Sequence, residues 1–284
     1  MSTRPSSTIG DLAERAASAD GVAPFNEASL MAIRDRESAR VLVLRTTADG
    51  ALIGAAYASG DAPIEIVVDP DHRLAGIGRS VIDELLADGE SRFWAHGDLP
   101  GAQALAAATG LAAERTLLVL RLEMVDAPME TVPDGITLRS FVASDADAVI
   151  AVNARAFANH AEQGAMDRAD FDRRTSSDWY DPAGLFVAER DGRIVGFHWT
   201  KVEDNIGEVY VVGIDPDAQG GGLGTALTAR GLRHLHESGL RVVDLYVEGD
   251  NAPALTVYDG LGFRPHAKDV LYVAPQQVDS HSHE

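Results

Sequence analysis

The chain has 284 residues, of which 45% are hydrophobic and 24% charged, with no cysteine and a net charge of −20. This composition predicts a globular protein of one large or two small domains and excludes wholesale disorder, collagen and coiled coil. The lack of cysteine excludes disulfides, thiolate metal sites and a cysteine nucleophile. The negative charge disfavours nucleic acid and anionic membranes as partners. With no visible secretory signal and no apolar run of about 20 residues, we expect a cytoplasmic protein.

The first half begins with helices and continues into a sheet. Predicted strands at 41–46 and 52–58 flank Asp49 and Gly50, a pair typical of hairpin turns. The next strand ends at Asp69-Pro70, because proline cannot continue a strand ladder. A glycine-containing turn then opens a helical pattern. Hairpins followed by strands that helices connect indicate a mixed α/β sheet.

Turn residues separate this half from the rest of the chain. Ala127-Pro128 and the segment 132–135, Val-Pro-Asp-Gly, have linker chemistry. They predict an N-terminal domain at 1–127 and a C-terminal domain at 135–275. The remaining residues, 276–284, are predicted to form a flexible tail.

The second half repeats the pattern of the first. Asp191 and Gly192 mark its hairpin turn. Its predicted strands lie at 184–189, 194–202, 208–214, 242–247 and 263–273, and its predicted helices at 221–237 and 252–261.

Two segments of the chain match each other without gaps. Asp69 aligns with Asp215, Pro70 with Pro216, Gly76 with Gly222 and Gly78 with Gly224. In both copies a strand precedes the match and a helix follows it. The repeat predicts two homologous halves.

The glycine-rich turn in each copy has the chemistry of a phosphate-binding loop. Glycines allow close approach of the backbone, and a helix N-terminus supplies free N–H groups and partial positive charge. A Walker loop is excluded because the chain has no Gly-Lys pair, and neither cluster completes a dinucleotide-binding fingerprint. A plain strand–turn–helix corner is the other interpretation, which the duplication makes weaker.

A strand, then Arg or Gln-x-x-Gly-x-Gly, then a helix resembles the acyl-CoA loop of the GCN5-related N-acetyltransferases. The segment from Leu245 through Asn251, Tyr258 and Gly262 extends the resemblance. It implies two tandem domains of this family, each a mixed, mostly antiparallel sheet flanked by helices, and acetyl-CoA as acetyl donor. The acetyl-CoA-binding residues that it implies are Val212, Gly213, Ile214, Gln219, Gly220, Gly221, Gly222, Leu223, Gly224, Thr225, Asn251 and Ala254 in the second half, and Val67, Val68, Arg73, Gly76, Ile77 and Gly78 in the first.

The resemblance also implies the catalytic pair. Glu208 would be the general base, and a strand period of two predicts that it shares a face with Tyr210 and Val212. Tyr258 would be the general acid, two helical turns from Asn251. The other interpretations are a solvated strand-end charge and a packed aromatic residue.

The first half lacks the equivalents of these groups. Aligning Gly110 with Gly262 puts Leu99 opposite Asn251 and Ala106 opposite Tyr258. Neither side chain can donate a hydrogen bond or a proton. We therefore expect the first half to be non-catalytic, and whether it binds acetyl-CoA stays open.

A narrower resemblance, to tandem members of the family, rests on 157–164, 196–201 and 207–211. It implies transfer of an acetyl group to the cysteinyl amine of a cysteinyl-glucosaminyl-inositol, without an acyl-enzyme and without a metal. The acceptor-binding residues that it implies are Glu27, Glu162, Lys201, Glu208 and Tyr246. One departure is that glycines stand at 220 and 221, where related loops often carry basic residues.

Two other functions stay open at this point. The same chemistry could act on another small-molecule or peptide amine, and a degenerate first half is compatible with a non-catalytic acyl-CoA sensor. In either case we expect a monomer whose ligands are small molecules.

Overall fold

The structure is a computed structural model that describes residues 8–35, 39–158, 164 and 166–275, without the side chains of residues 27, 28, 35 and 39. It divides into two compact units. Unit 1 comprises Met1–Leu117 and Ala267–Glu284, and unit 2 comprises Leu118–His266. This division differs from the predicted linear boundary at 127–135, because the chain leaves unit 1 earlier and returns to it near its C-terminus.

The described part of unit 1 contains four helices, and its first four strands follow one another along the chain. The helices are α1 (Ile9–Asp20), α2 (Glu27–Asp35), α3 (Ile77–Ala87) and α4 (Pro100–Thr109), and the strands are β1 (Ala39–Thr46), β2 (Leu52–Ser59), β3 (Ile64–Val68) and β4 (Arg92–Ala95). Strand β5 (Ala112–Glu123) leads into unit 2, and β11 (Arg264–Val273) returns to unit 1.

The sheet of unit 1 has the order β1-β2-β3-β4-β11. Strands β3 and β4 are parallel, and the other neighbours are antiparallel. Apolar side chains cover both faces. One cluster includes Leu12, Phe25 and Tyr57, and the other includes Val81 and Phe93.

Unit 2 adds four further described helices and six strands. The helices are α5 (Ala146–Ala156), α6 (Arg168–Thr175), α7 (Leu223–Glu237) and α8 (Ala252–Gly260), and the strands are β6 (Thr137–Ser140), β7 (Leu185–Arg190), β8 (Arg193–Glu203), β9 (Ile206–Ile214) and β10 (Val242–Glu248), together with the end of β5.

The sheet of unit 2 has the order β5-β10-β9-β8-β7-β6. Strands β9 and β10 are parallel, whereas β6 to β9 pair antiparallel in sequence. A first cluster, which includes Val209, Leu232 and Leu245, packs on one face, and a second cluster, which includes Phe171 and Trp199, packs on the other. Both units are thus mixed, mostly antiparallel sheets flanked by helices, which confirms the predicted fold class.

Local sequence explains the hairpin between β7 and β8. Asp191 and Gly192 have φ of 52° and 74°, and two consecutive positive φ values are what a type I′ turn requires. In the described part of the chain, no helix is long and apolar enough to cross a membrane.

Candidate active site

Ion pairs and a backbone hydrogen bond hold the first residues of the loop that follows β9. Asp215 accepts a hydrogen bond from the backbone N–H of Asp217 at 2.9 Å. Arg155 of α5 forms ion pairs with Asp215 at 2.9 Å and with Asp217 at 2.6 Å. The strand therefore ends at a defined point, and the glycines that follow start from a fixed base.

The glycines of this loop adopt backbone conformations that other residues rarely use. Gly220, Gly221 and Gly222 have φ of 89°, 60° and 85°. Gly222 is the N-cap of α7, and no side chain caps the helix there. Gly220 to Gly222 are exposed. An exposed helix N-terminus without a side-chain cap is the arrangement that suits a diphosphate.

Replacing Gly222 with alanine is expected to raise the KM for acetyl-CoA about tenfold, or about 1.4 kcal/mol. A Cβ here meets nothing within 4 Å, so the effect would come from the strain of a left-handed φ, about 1–2 kcal/mol, which turns the loop amides away from their native directions. Steady-state kinetics at saturating acceptor measures this KM.

Gly239→Ala is the matched control, because Gly239 has φ of 91° and an equally open Cβ position beyond the other end of α7. It should lower the melting temperature as much as Gly222→Ala while leaving the KM for acetyl-CoA unchanged. An unchanged KM in Gly222→Ala would remove the loop from the donor site.

Strands β9 and β10 separate before β9 reaches this loop, and the gap between them after Val209 and Leu245 is called the fork. Their parallel pairing runs from Gly207 with Val243 to Val209 with Leu245, yet the strands continue to Ile214 and Glu248. Strand β9 has a register shift here, because Thr200 pairs with Val209 and Trp199 with Val211, which leaves Tyr210 as the extra residue of a β-bulge. Beyond the fork, β9 can offer backbone groups to a ligand instead of to β10.

The bulge corrects the predicted strand face. Tyr210 packs against the second cluster, which contains Trp199. It therefore shares a face of β9 with Glu208, as predicted. Val212 packs against the first cluster, on the opposite face. The prediction that Val212 shares a face with Glu208 and Tyr210 is wrong, because one extra residue reverses the alternation of side chains.

Glu208 lies between two charged neighbours in register. Lys201 of β8 is its antiparallel partner and Asp244 of β10 its parallel partner. Arg121 of β5 neutralises Asp244 by two hydrogen bonds of 2.7 Å. Tyr246, two residues after Asp244 and 53% exposed, lies on the same face of β10. Three of the predicted acceptor residues, Lys201, Glu208 and Tyr246, are therefore brought together.

Lys201 is held by aromatic rings. Its Nζ lies 5.5 Å from the ring centre of Trp179 and 5.9 Å from that of Tyr210. It also forms an ion pair of 3.0 Å with Glu203. Only 4% of Lys201 is exposed, so its charge lies behind the rings rather than at the surface.

Tyr258 lies on the other side of β9. It is half-buried and packs, like Val212, against the first cluster, with its ring 5.8 Å from that of Phe263. Burial raises the pKa of Tyr258 to about 12, so the phenol keeps its proton at neutral pH. Glu208 and Tyr258 thus occupy opposite faces of β9, and a ligand entering the fork is what could contact both.

Asn251 and Gly213 have structural partners of their own. The Oδ1 atom of Asn251 accepts from the N–H of Ala254 at 3.2 Å and caps α8, which leaves the NH2 group out of this bond. A Cβ on Gly213 would lie 2.3 Å from Cε1 of Phe197. Packing against Phe197 therefore requires glycine at 213 whether or not a ligand approaches.

The corresponding loop of unit 1 also enters its helix through a left-handed glycine. Gly76 has φ of 80° and is the N-cap of α3. Arg73 is engaged by Asp20 through two hydrogen bonds of 2.6 and 2.7 Å. Leu99 is the N-cap of α4 and offers no side-chain hydrogen bond there, and Ala106 is buried. Leu99 thus holds in α4 the N-cap position that Asn251 holds in α8, and a non-catalytic unit 1 stays a prediction.

Two predicted residues lie outside what the structure describes. Glu162 is not among the described residues, and Glu27 is described only as the first backbone position of α2. Conversely, Arg174 and Trp179, which contact Tyr210, were not predicted from the sequence. Neither stands in a motif, and only the fold brings them to β9. Among the described residues no group of three His, Asp or Glu side chains is placed to hold a metal ion.

Comparisons with known proteins show the family and the fold to which this chain is similar. Residues 153–263 match the model of the Acetyltransferase (GNAT) family. The chain is 50% identical over 275 residues to a mycothiol acetyltransferase of Clavibacter michiganensis, covering 93% of this chain and 90% of the relative. Among solved structures it resembles a GCN5-related N-acetyltransferase of Sphaerobacter thermophilus, with a TM-score of 0.72, 22% identity and coverage of 93% and 90%. It also resembles a tandem GNAT protein of the clavulanic acid biosynthesis pathway, with a TM-score of 0.65, 21% identity and coverage of 95% of each chain.

Proposed function

The chain belongs to the GNAT family of acetyltransferases, and on that premise we propose that it transfers the acetyl group of acetyl-CoA to the cysteinyl amine of a cysteinyl-glucosaminyl-inositol, giving mycothiol. The observation that carries this proposal is the position of Glu208. It lies next to the fork where β9 leaves β10, on the strand that leads to the loop of Gly220, Gly221 and Gly222.

The donor fits the elements around the fork. The amides of Gln219–Thr225 at the start of α7 would hold the diphosphate, and the backbone of Val212–Ile214 would line the pantetheine and thioester. Asn251 would donate a hydrogen bond from its NH2 group to the pantetheine. Ala254, in the first turn of α8, would lie against the same part of the donor. The loop carries no basic side chain at 220 or 221, so backbone groups and the helix dipole supply most of the attraction.

The reaction proceeds by direct attack. Glu208 removes a proton from the acceptor ammonium, and the amine nitrogen then forms a bond to the thioester carbon. The tetrahedral oxyanion is stabilised by backbone N–H groups of 212–214. The C–S bond then breaks and the nitrogen gives up its second proton, which leaves a neutral amide. The CoA sulfur, hydrogen-bonded to Tyr258, takes up one proton, and the proton held by Glu208 passes to solvent. With no cysteine in the chain, an acyl-cysteine intermediate cannot form.

Replacing Tyr258 with phenylalanine is expected to lower kcat only about tenfold, less than the 10²–10⁴ typical of a full general acid. The pKa of Tyr258 is about 12, whereas a thiol has a pKa of about 8.5. Full proton transfer from the phenol to the thiolate is therefore energetically unfavourable. Tyr258 would lower the barrier mainly through the hydrogen bond that its hydroxyl donates to the departing sulfur. Steady-state kinetics at saturating substrates measures kcat, and a loss above a thousandfold would contradict this role.

Mass spectrometry of the acceptor tests the proposed function directly. The expected result is one acetyl group on the cysteinyl nitrogen, detected as an amide after any thioester has been cleaved with hydroxylamine. Peptide N-termini and simple amines serve as competing acceptors. Binding of acetyl-CoA without any acetylated product would indicate a sensor, and a better alternative amine would replace the proposed acceptor.

A further inference from the structure

The ring of Tyr210 is the centre of an aromatic and cationic group on the face of Glu208. Trp179 contacts it edge-on with centroids 5.0 Å apart, and Trp199 does so at 5.9 Å. The guanidinium of Arg174 lies 5.4 Å from the ring centre and also donates to the Tyr210 hydroxyl. Lys201 approaches the ring from a further direction. The residue that forms the bulge is thus held on several sides.

Exposure separates this group into an inner and an outer part. Trp199 is fully buried and Lys201 is 4% exposed. Arg174, Trp179 and Tyr210 are half-buried, so they are what a ligand meets at this place. Because Lys201 is the register partner of Glu208, this outer part adjoins the proposed base directly.

The chemistry of the outer part suits a neutral ring that carries hydroxyl groups. An indole offers an apolar face to the C–H groups of a sugar or cyclitol and an N–H donor at its edge. A guanidinium has five N–H donors in one plane, and the bond to Tyr210 uses one of them.

Charge fixes the direction of the acceptor. Arg174 and Lys201 repel an ammonium group, whereas Glu208 attracts it. The cysteinyl amine is therefore directed to Glu208 and the uncharged polyol to the cations and rings.

We propose that Trp179 and Arg174 form the subsite for the hydroxyl-rich part of the acceptor, with Lys201 and Tyr210 holding them in place from within unit 2. This inference rests on the proposed function and adds to it two residues that determine specificity. It predicts that the enzyme prefers the glycoside over the same amine without the rings.

The test compares two acceptors, cysteinyl-glucosaminyl-inositol and cysteinamide, in Trp179→Leu and Arg174→Gln. The expected result is a fall of about tenfold in the ratio of their kcat/KM values, which corresponds to the loss of one good contact. The loss should appear as a higher KM for the glycoside, with its kcat and the KM for acetyl-CoA within about twofold of the native values. Trp179→Phe, which keeps a ring, should retain most of the ratio.

Trp94→Leu is the matched control, because Trp94 of unit 1 is also half-buried and has the guanidinium of Arg115 5.6 Å from its ring centre. It should leave the ratio unchanged. A merely structural role of Trp179 would lower kcat/KM for both acceptors equally and keep the ratio, which would overturn the inference. A native enzyme that acetylates both acceptors equally would also overturn it. If the native enzyme does not acetylate the glycoside at all, the proposed function itself fails, and that result is distinguishable from the others.

Discussion

Replacing Glu208 with glutamine is expected to lower kcat/KM for the acceptor by about 100-fold to 1,000-fold at pH 7, the range typical of a lost general base. Glutamine keeps the size of the side chain and its place between Lys201 and Asp244. It cannot accept the proton of the ammonium group. The binding constant for acetyl-CoA should stay unchanged, because Glu208 faces away from the cluster that Val212 and Tyr258 contact.

The size of this defect should depend on pH. A free α-amine has a pKa of about 8, so above that pH most of the acceptor is already deprotonated and needs no base. The ratio of native to variant rates should therefore shrink as the pH rises from 7 to 9. Glu237→Gln, an equivalent change at the exposed end of α7, should have native kinetics. A pH-independent defect would assign Glu208 to acceptor binding rather than to proton removal.

Local signals were enough to predict a mixed α/β sheet in both halves, and the family resemblance supplied the rest of the fold class. Hydrophobic alternation, the Asp-Gly turn before β8 and the Asp-Pro ends of β3 and β9 are local signals that act over a few residues. The exchange of strands between the units has no such signal. The turn residues at 127–135 connect two parts of unit 2, and only long-range pairing decides that β11 returns to unit 1.

The bulge explains why the site was predicted less accurately. In unit 1 the parallel pairing ends at Glu65 with Trp94, and β3 then pairs with β2 without a register shift. In unit 2 the extra residue, Tyr210, lies between the last parallel pair, Val209 with Leu245, and the stretch from Val211 to Ile214 that pairs with β8 in register. A bulge of this kind leaves no gap in the sequence repeat, so it is recognised only when the strand partners are known.

Arg174 and Trp179 could not have been found from spacing. They lie more than 30 residues before Tyr210, in α6 and in the turns after it. An arginine in a short helix and a tryptophan in a loop are ordinary surface or core residues by pattern. The packing of α6 against the sheet is what gives them neighbours with a shared chemistry.

A buried ionic cluster in unit 1 should make the stability of that unit depend on pH. His96 lies between two carboxylates, with Nε2 2.6 Å from Glu65 and Nδ1 3.0 Å from Asp269. Burial lowers the pKa of His96, but the hydrogen bonds that its ring donates to Asp269 and Glu65 together outweigh burial and raise the pKa to about 9. The folded unit therefore holds this proton more tightly than the unfolded chain, in which the pKa is about 6.5.

The direction of the effect follows from this difference. A group whose pKa is higher in the folded state stabilises it fully below the unfolded pKa, and the contribution is lost as the pH rises through the folded pKa. The free energy of unfolding of unit 1 should thus fall by about 3 kcal/mol between pH 6.5 and pH 9. Chemical denaturation at several pH values, followed by the hydrogen exchange of unit 1 amides, measures it.

Replacing His96 with glutamine should remove this pH dependence and destabilise unit 1 by about 3–5 kcal/mol at pH 6.5, because it leaves a buried carboxylate without its counter-charge. Glu65 is 1% exposed, so water cannot compensate for the loss. His72→Gln is the control, because His72 is half-exposed beside Asp69 and should change stability by less than about 1 kcal/mol.

The position of the ionic cluster around His96 predicts which part of unit 1 should lose stability first. Asp269 belongs to β11, which also contributes the ion pair of Lys268 with Asp98 at 2.7 Å and the hydrogen bond of Tyr272 to Asp98 at 2.7 Å. When His96 loses its charge, Asp269 of β11 loses its ion pair with the turn that follows β4. The protection factors of amides 270–273, which are corrected for the intrinsic rise of exchange with pH, should therefore fall between pH 6.5 and pH 9, while those of β8 and β9 in unit 2 stay unchanged. Equal changes in both units would show that the cluster is not the source of the pH dependence.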